Sequence, residues 1–525
     1  MSRVRNVLVA NRGEIAVRII RTCREMGIGT VAVYSGCDRT ALHVRMADQA
    51  YAIGPDQASE SYLRADKLID VAARSGADAV HPGYGFLAEN PAFAEACERA
   101  GLTFIGPTPD AMRTMGSKTG ARAVAVRAGV PVVPGSSAPL LLAEGAIRGA
   151  ELEEAAGAVG YPLLVKAVSG GGGKGMRAVD TPADLAAAVQ MARSEAQSSF
   201  GDNRVYFERR LEQPRHIEVQ LLGDTHGTVV PFVERECSIQ RRHQKLIEET
   251  PSPSVSLLLR DELMTAAAVI GRASGYTSAG TVEFLVDGSG AFYFLEMNAR
   301  LQVEHPITEA VTGVDFVRAQ IEIAQGSRLD AILAGLKTHP MGAGGHAIDA
   351  VGHAIEVRVY AENTDEGFLP SPGLITHLTP PAGPGIRDDT GAFAGWNVPT
   401  AYDALVSKVI AWAPDRQGAV ARMIRALTEY DLRGISTTIA FCRGLIESPA
   451  FAAGAFDTTS VDRLLEEGAL RYALRGDEIE ETAAIAAALW EAKTGPGIFF
   501  KNRRRKSLPS EFSLWTQRAR IEGLR

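Results

Sequence analysis

The sequence predicts an α/β protein. It should have an N-terminal doubly wound parallel-sheet domain, a flap or lid in its middle third and a mixed α+β C-terminal domain. Three observations carry that reading. Short apolar strands alternate with amphipathic helices through the first hundred residues. A glycine run, Ser169-Gly-Gly-Gly-Gly-Lys-Gly-Met176, separates two strand-like segments. From about residue 205 onward, strands outnumber helices.

The elements follow in order. Val7-Leu-Val-Ala10 reads as a first strand, and an amphipathic helix from about Ile15 to Met26 is stopped by Gly27. Thr30–Tyr34, Ala77–Val80 and Thr103–Ile105 are further strands, each after a helical stretch. No GxGxxG follows the first strand, so the dinucleotide fingerprint is missing. His81-Pro-Gly-Tyr-Gly-Phe-Leu-Ala-Glu89 lies just beyond a strand, where sheets of this kind bind ligands. Residues 136–157 suggest a linker passing into a helix. Tyr161–Val168 is an apolar strand carrying Lys166, the glycine run follows, and Arg177–Val179 returns, which together make a hairpin flap. Strands are expected at 205–207, 216–222, 228–230, 282–286 and 291–295, with a helix over about 258–274. Met341-Gly-Ala-Gly-Gly345 is a join, His353–Tyr360 opens a third unit, and Phe368-Leu-Pro-Ser-Pro-Gly373 is a rigid turn. The expected division is 1–114, 115–340 with a lid over about 137–210, 345–460, and a helical and basic tail over 461–525.

Composition narrows the function classes. A net charge of -7 argues against a nucleic-acid binder, because phosphate affinity needs a basic surface. No apolar run is long enough to span a membrane. The N-terminus goes directly into a strand without the apolar stretch of a signal peptide. Five scattered cysteines without a CxxC pair fit reduced thiols in a cytoplasmic protein. Cys237, in a charged segment, is either a packing residue or a reactive thiol.

The densest chemistry is Glu296-Met-Asn-Ala-Arg-Leu-Gln-Val-Glu-His305. Glu296, Asn298 and Arg300 alternate onto one face as a strand opens into a loop. A carboxylate beside an amide oxygen is a hard ligand pair, suited to Mg²⁺ carrying phosphates. The arginine and the second glutamate then lie where a small anion can be held and deprotonated. The alternative is a solvated strand end. Glu283, flanked by apolar residues in its strand, would face Glu296 if the two strands pair; a Lys or Arg partner is its alternative. Lys166 is costly to bury alone and needs a phosphate or a carboxylate. The glycine run is not a Walker A sequence, since Gly175 follows Lys174, but its backbone N–H groups can close on phosphate oxygens. Gln240, His243 and Lys245 are spaced to face one anion from an irregular loop, or they are part of a solvated charge run. Taken together, flap, lysine, paired carboxylates and anion pocket describe phosphorylation of a small oxyanion by ATP.

At this point the chain resembles the biotin carboxylases, the ATP-grasp components of biotin-dependent carboxylases. The motifs are Ala10-Asn-Arg-Gly-Glu-Ile-Ala16, His81–Leu87, Ser169–Met176, Glu236-Cys-Ser-Ile-Gln-Arg-Arg-His-Gln-Lys245, Glu296–Pro306 and Phe368–Gly373, in the family's order over residues 1 to about 460. The resemblance implies an ATP-grasp fold and roles for matching positions. Lys118, Lys166 and His216 would contact ATP, with Gly171, Gly172, Gly173 and Met176 closing above. Glu208, Arg209, Leu211, Gln240 and Leu285 would line the nucleotide pocket. Glu283 and Glu296, assisted by Asn298, would hold Mg²⁺ or Mn²⁺. Lys245, Arg300, Gln302 and the Val303 backbone would bind bicarbonate, and Glu304 would deprotonate it. Arg358 would stabilise the biotin enolate, and His243 would lie near the γ-phosphate.

Two departures stand out. Lys174 replaces the arginine of many relatives, and about sixty residues follow the usual end. No Ala-Met-Lys-Met biotinylation sequence occurs, which implies a separate biotin carboxyl carrier protein and a carboxyltransferase subunit. The resemblance also implies a homo-oligomer. The acidic helix over about 463–493, and the basic run Lys501–Lys506 with Phe499, Phe500 and Trp515, form either a partner-docking arm or a solvated tail. Two other readings are a carbamoyl-phosphate-forming ligase, argued against by Arg300–His305 with Arg358, and a non-catalytic nucleotide-binding scaffold.

Overall fold

The computed structural model describes residues 3–136, 149–168, 175–341, 345–468 and 484–489. Gly171, Gly172 and Gly173 of the expected flap, Phe499, Phe500, Trp515 and the basic run lie outside these residues. The chain forms two units, Met1–Leu470 and Arg471–Arg525. Of the second, residues 484–489 are helical.

The first sheet is parallel. Its strands are β1 (Asn6–Val9), β2 (Gly29–Ser35), β3 (Gln49–Gly54), β4 (Ala79–His81) and β5 (Thr103–Phe104), in the order β3-β2-β1-β4-β5. The order reverses at β1, so the loops leaving β1 and β4 open side by side. Asn11 joins them, with its Nδ2 donating to the Pro82 and Tyr84 carbonyls at 2.7 Å each. Gly83 between them has φ +62°, and a Cβ there would meet Asn11 at 3.0 Å. Strand β3 was not expected, because Gln49-Ala-Tyr-Ala-Ile-Gly54 lies at the sheet edge with exposed residues and lacks a continuous apolar run.

The flap is a three-stranded antiparallel sheet of β6 (Leu163–Ala167), β7 (Met176–Val179) and β8 (Val205–Arg209), in the order β7-β6-β8. It has its own core, in which Leu163, Val165, Val179 and Phe207 pack with Leu152, Ala156 and Val189 of two helices.

The large sheet contains β9 (Arg215–Gly223), β10 (Val229–Pro231), β11 (Arg235–Arg241), β12 (Gln244–Thr250), β13 (Ser278–Val286) and β14 (Phe292–Asn298). A short ribbon, β15 (Thr338–Pro340) with β16 (His346–Ile348), leads to β17 (His353–Tyr360). The order runs β14-β13-β9-β11-β12-β17 and continues through Leu405–Ala413 to Ile386–Thr390, with β10 beside β9. Every pairing is antiparallel. The β12–β17 pairing makes the sheet continuous across the expected join near 345.

The segment 240–249 corrects an expectation. It is not an irregular loop but a tight hairpin, with Gln240 opposite Lys245 in register. Arg242 and His243 form the turn, at φ +49° and +66°. Two left-handed residues in succession match the twist of a two-residue hairpin, although neither is a glycine.

Candidate active site

The polar faces of β9, β12 and β13 converge. His216 and Glu218 alternate along β9, and Glu218 is the register partner of Glu283 on β13. Glu283 is in turn the register partner of Glu296 on β14, so the two expected metal carboxylates stand face to face. Asn298 Nδ2 donates to Glu283 at 2.7 Å, and Gln302 Nε2 does so at 2.9 Å. His216 Nε2 lies 3.0 Å from the other Glu283 oxygen. Burial works against the charge of Glu283, yet Lys245 and His216 hold its carboxyl below the ordinary range. Burial and the neighbouring Glu283 push Glu296 the other way. Two carboxylates facing each other on neighbouring strands are hard oxygen donors, a pair that fits Mg²⁺.

Lys245 is the hub. Its ammonium donates to Glu218 at 2.6 Å, to Glu283 at 3.2 Å and to Glu304. The second Glu304 oxygen accepts from Arg358 at 2.8 Å. Burial opposes ionisation of Glu304, but Lys245, Arg358 and Arg235 keep its carboxyl well below the usual value. Arg358 also donates to Glu248 at 2.6 Å. Arg300 reaches Asn298 Oδ1 at 3.0 Å, Glu89 at 3.1 Å and the Gln302 side chain. The Asn298 oxygen is therefore occupied by Arg300 here, and its amide nitrogen faces Glu283.

The residues assigned to the nucleotide are divided between the flap sheet, the helix Lys118–Arg127 and strands β9, β11 and β13 of the large sheet. Lys166 pairs with Glu208 at 2.5 Å, so in this structure a carboxylate meets its charge. Met176 is the register partner of Lys166, and Arg209 closes β8, with Leu211 two residues beyond. Burial and the nearby Lys166 depress Lys118, which opens the helix Lys118–Arg127. Burial also depresses His243, with Lys166 and His216 adding to the effect. Leu285 stands opposite His216 across β9 and β13. Gln240 is buried on β11.

Sequence reasoning missed Glu218, Arg235, Glu248 and Glu89. Arg235 is fully buried and donates to Glu218, Gln220, Thr308 and Thr281. Nearly every guanidinium N–H is matched, as such burial requires. The alternation His216-Ile-Glu-Val-Gln220, polar at every second position of a buried strand, was the available signal. Cys237 is fully buried and its Sγ lies 3.9 Å from Glu304, so it packs inside the site, its thiol pushed up by burial.

A cavity of about 460 Å³ opens beside this network, lined by Glu14, Tyr84, Arg300, Val303, Arg358 and Tyr402 among others. Paired carboxylates under a strand-framed flap, beside a lysine–glutamate–arginine network, define an ATP-grasp ligase. The "Biotin carboxylase, N-terminal domain" family matches residues 3–112. The "Carbamoyl-phosphate synthase L chain, ATP binding domain" family matches residues 117–332. The "Biotin carboxylase C-terminal domain" family matches residues 356–463. Biotin carboxylase 1 of Bacillus subtilis is 47% identical over 456 residues, covering 87% of this chain and 97% of that protein. The biotin carboxylase of a Nostoc species is 47% identical over 458 residues, covering 87% and 98%. The biotin carboxylase domain of a 2-oxoglutarate carboxylase from Hydrogenobacter thermophilus superposes with a TM-score of 0.82 at 42% identity, covering 89% and 99%.

The chain belongs to the biotin carboxylase family, ligases that carboxylate biotin with ATP and bicarbonate. No helix among the described residues is long and apolar enough to cross a membrane.

Proposed function

We propose that residues Glu304, Lys245, Arg300 and Arg358 carry out the carboxylation of biotin, with nucleotide bound between the flap and the large sheet. The single observation behind this is that the buried Glu304 is held by Lys245 on one oxygen and by Arg358 on the other, and Arg358 itself lines the cavity together with Arg300 and Val303. Glu304 is thereby kept in its ionised form, the form that can accept a proton. In this reading Lys245, Arg300, Gln302 and the Val303 backbone bind bicarbonate, and Glu304 removes its proton. The bicarbonate oxygen attacks the γ-phosphorus, and the bond from that phosphorus to the bridging oxygen breaks to release ADP. The carboxyphosphate so formed separates into CO₂ and phosphate. The phosphate takes the N1 proton of biotin, Arg358 stabilises the enolate, and its nitrogen bonds to CO₂.

Glu283 and Glu296, with Asn298, would hold Mg²⁺, which supplies charge neutralisation for the phosphates. Lys118, Lys166 and His216 would contact those phosphates and the ribose, while Glu208, Arg209, Leu211, Gln240, Leu285 and Met176 enclose the nucleotide and His243 stands near its γ end. The Hydrogenobacter relative was solved as a dimer with MgADP, ADP and bicarbonate, which supports this ligand set and a homo-oligomer. The division 1–114, 115–340 with lid 137–210, and 345–460 is part of the same reading. The 525 residues contain no Ala-Met-Lys-Met, which favours a biotin carrier outside them and a carboxyltransferase acting next. Five unpaired thiols favour the cytoplasm.

The test is ATP hydrolysis that requires bicarbonate and rises with free biotin. Stimulation by an amine instead of biotin would move the chain to the carbamoyl-phosphate-forming ligases.

A further inference from the structure

Lys408 has no part in the chemistry so far. It lies on the strand Leu405–Ala413 with its side chain fully buried. Its ammonium donates to the Val303 carbonyl at 2.8 Å and sits 3.2 Å from a Glu14 carboxylate oxygen. The Tyr84 ring centre is 5.7 Å away. In register, Lys408 stands between Arg358 on one side and Asp389 on the other. Glu356, two residues before Arg358, is also fully buried, and neither of its oxygens nor those of Glu14 has a hydrogen-bond partner. Burial pushes Glu14 up to about 7 even with Lys408 beside it. An ammonium is thus kept out of water among three acids, and its hydrogen bond goes to a single backbone carbonyl.

That carbonyl is well placed to matter. The peptide unit is planar, so fastening the Val303 oxygen fixes the plane leading into Glu304. Glu304 is the residue directly ahead of the helix His305–Thr312, with φ -83° and ψ 14°. From there its two oxygens must meet Lys245 and Arg358 at once. One residue earlier, the Gln302 carbonyl lies 2.8 Å from His305 Nδ1. The turn 302–305 is therefore pinned at two successive carbonyls, one locally and one by Lys408 from a strand a hundred residues away.

We propose that Lys408, seated against Glu14, is a positioning residue that orients the Val303–Glu304 peptide for bicarbonate. The proposal rests on the assignment of Val303 and Glu304 to bicarbonate made above.

The test compares the parent with K408M, K408R and the double variant K408M/E14Q, which removes both buried charges. Bicarbonate-dependent ATP hydrolysis is measured with each substrate varied, alongside backbone hydrogen exchange at residues 302–305 in the full chain. K408M and the double variant should raise KM for bicarbonate by about tenfold, the worth of one hydrogen bond to a charged donor. They should leave KM for ATP within about twofold and speed exchange at 302–305, and K408R should recover part of the loss. A parent without bicarbonate-dependent hydrolysis counts against the assigned function, while the exchange data still decide the role of Lys408. A folded variant with parental bicarbonate KM and parental exchange overturns the proposal. So does an equal rise in both KM values, which signals general loosening. If neither charge-removing variant folds, Lys408 is a stability residue and the proposal falls.

Discussion

Glu283 and Glu296 are register partners on neighbouring antiparallel strands, yet their carboxyls are shifted in opposite directions. Lys245 and His216 overcome burial at Glu283, whereas burial and Glu283 itself raise Glu296. A divalent cation held by both, as proposed above, would favour the ionised form of each. E296Q should therefore weaken magnesium dependence more than nucleotide affinity. Groups one step removed from a bound metal are worth about 10–100-fold in affinity, so a direct ligand should cost at least about tenfold. Titrating Mg²⁺ against bicarbonate-dependent ATP hydrolysis in parent and variant checks it; identical half-saturation would take Glu296 out of the metal site.

Glu304→Gln keeps the size of the side chain and removes its ability to accept a proton. Lys245 still has Glu218 and Glu283 as partners, so the site should remain assembled. Turnover should fall by about 10²–10⁴-fold, the usual worth of a positioned base, with nucleotide affinity by calorimetry unchanged. Equal turnover in the two proteins would remove Glu304 from the mechanism.

Much of this site was legible in the sequence alone, and the reason is periodicity. Glu296 and Asn298 stand two residues apart on one strand face, and Arg300, just past the strand end, reaches back to the Asn298 oxygen at 3.0 Å. Glu283 could be matched to Glu296 once two strands were read with the right spacing. What stayed hidden depends on which strand lies beside which. Arg235 and Glu218 meet only because β9 and β11 are neighbours, and Glu248 meets Arg358 only because β12 pairs with β17 across the expected join. The hairpin at 242–243 was missed for a local reason: arginine and histidine hold left-handed turn positions that usually advertise themselves with Asn-Gly.

Arg358 bridges two acids, Glu248 and Glu304, in a dry setting. R358M should leave both without that partner and lower stability by about 3 kcal/mol, the typical cost of breaking a buried pair. Biotin stimulation of ATP hydrolysis should also disappear. R358K separates the two effects, since an ammonium restores the charge but lacks the planar fork that aims separate N–H groups at Glu248 and Glu304. Urea unfolding and biotin titrations on the two variants provide the comparison. A lysine variant with full biotin response would show that charge alone suffices.

Asp388 offers a test of the fold that is independent of catalysis. It sits on the strand Ile386–Thr390, where Oδ1 accepts the Ser407 hydroxyl and Oδ2 has no hydrogen-bond partner. Burial raises its carboxyl from 3.8 to about 7, the Ser407 hydrogen bond opposing and Asp389 adding to the rise. The sign follows from proton counts. Between about pH 4 and 7 the folded chain holds a proton that the unfolded chain has lost, so this residue makes stability fall as pH rises through that window. Above 7 both states are ionised and the penalty is constant. D388N has no proton to lose and keeps the side-chain shape. Its advantage over the parent should be small at pH 4, grow through the window and level off above 7, at roughly 2–4 kcal/mol. Urea midpoints of both proteins at pH 5 and pH 8 measure it. An advantage that stays flat or shrinks with rising pH would mean that Asp388 is already ionised in the folded protein, with a solvent path or a cation at Oδ2.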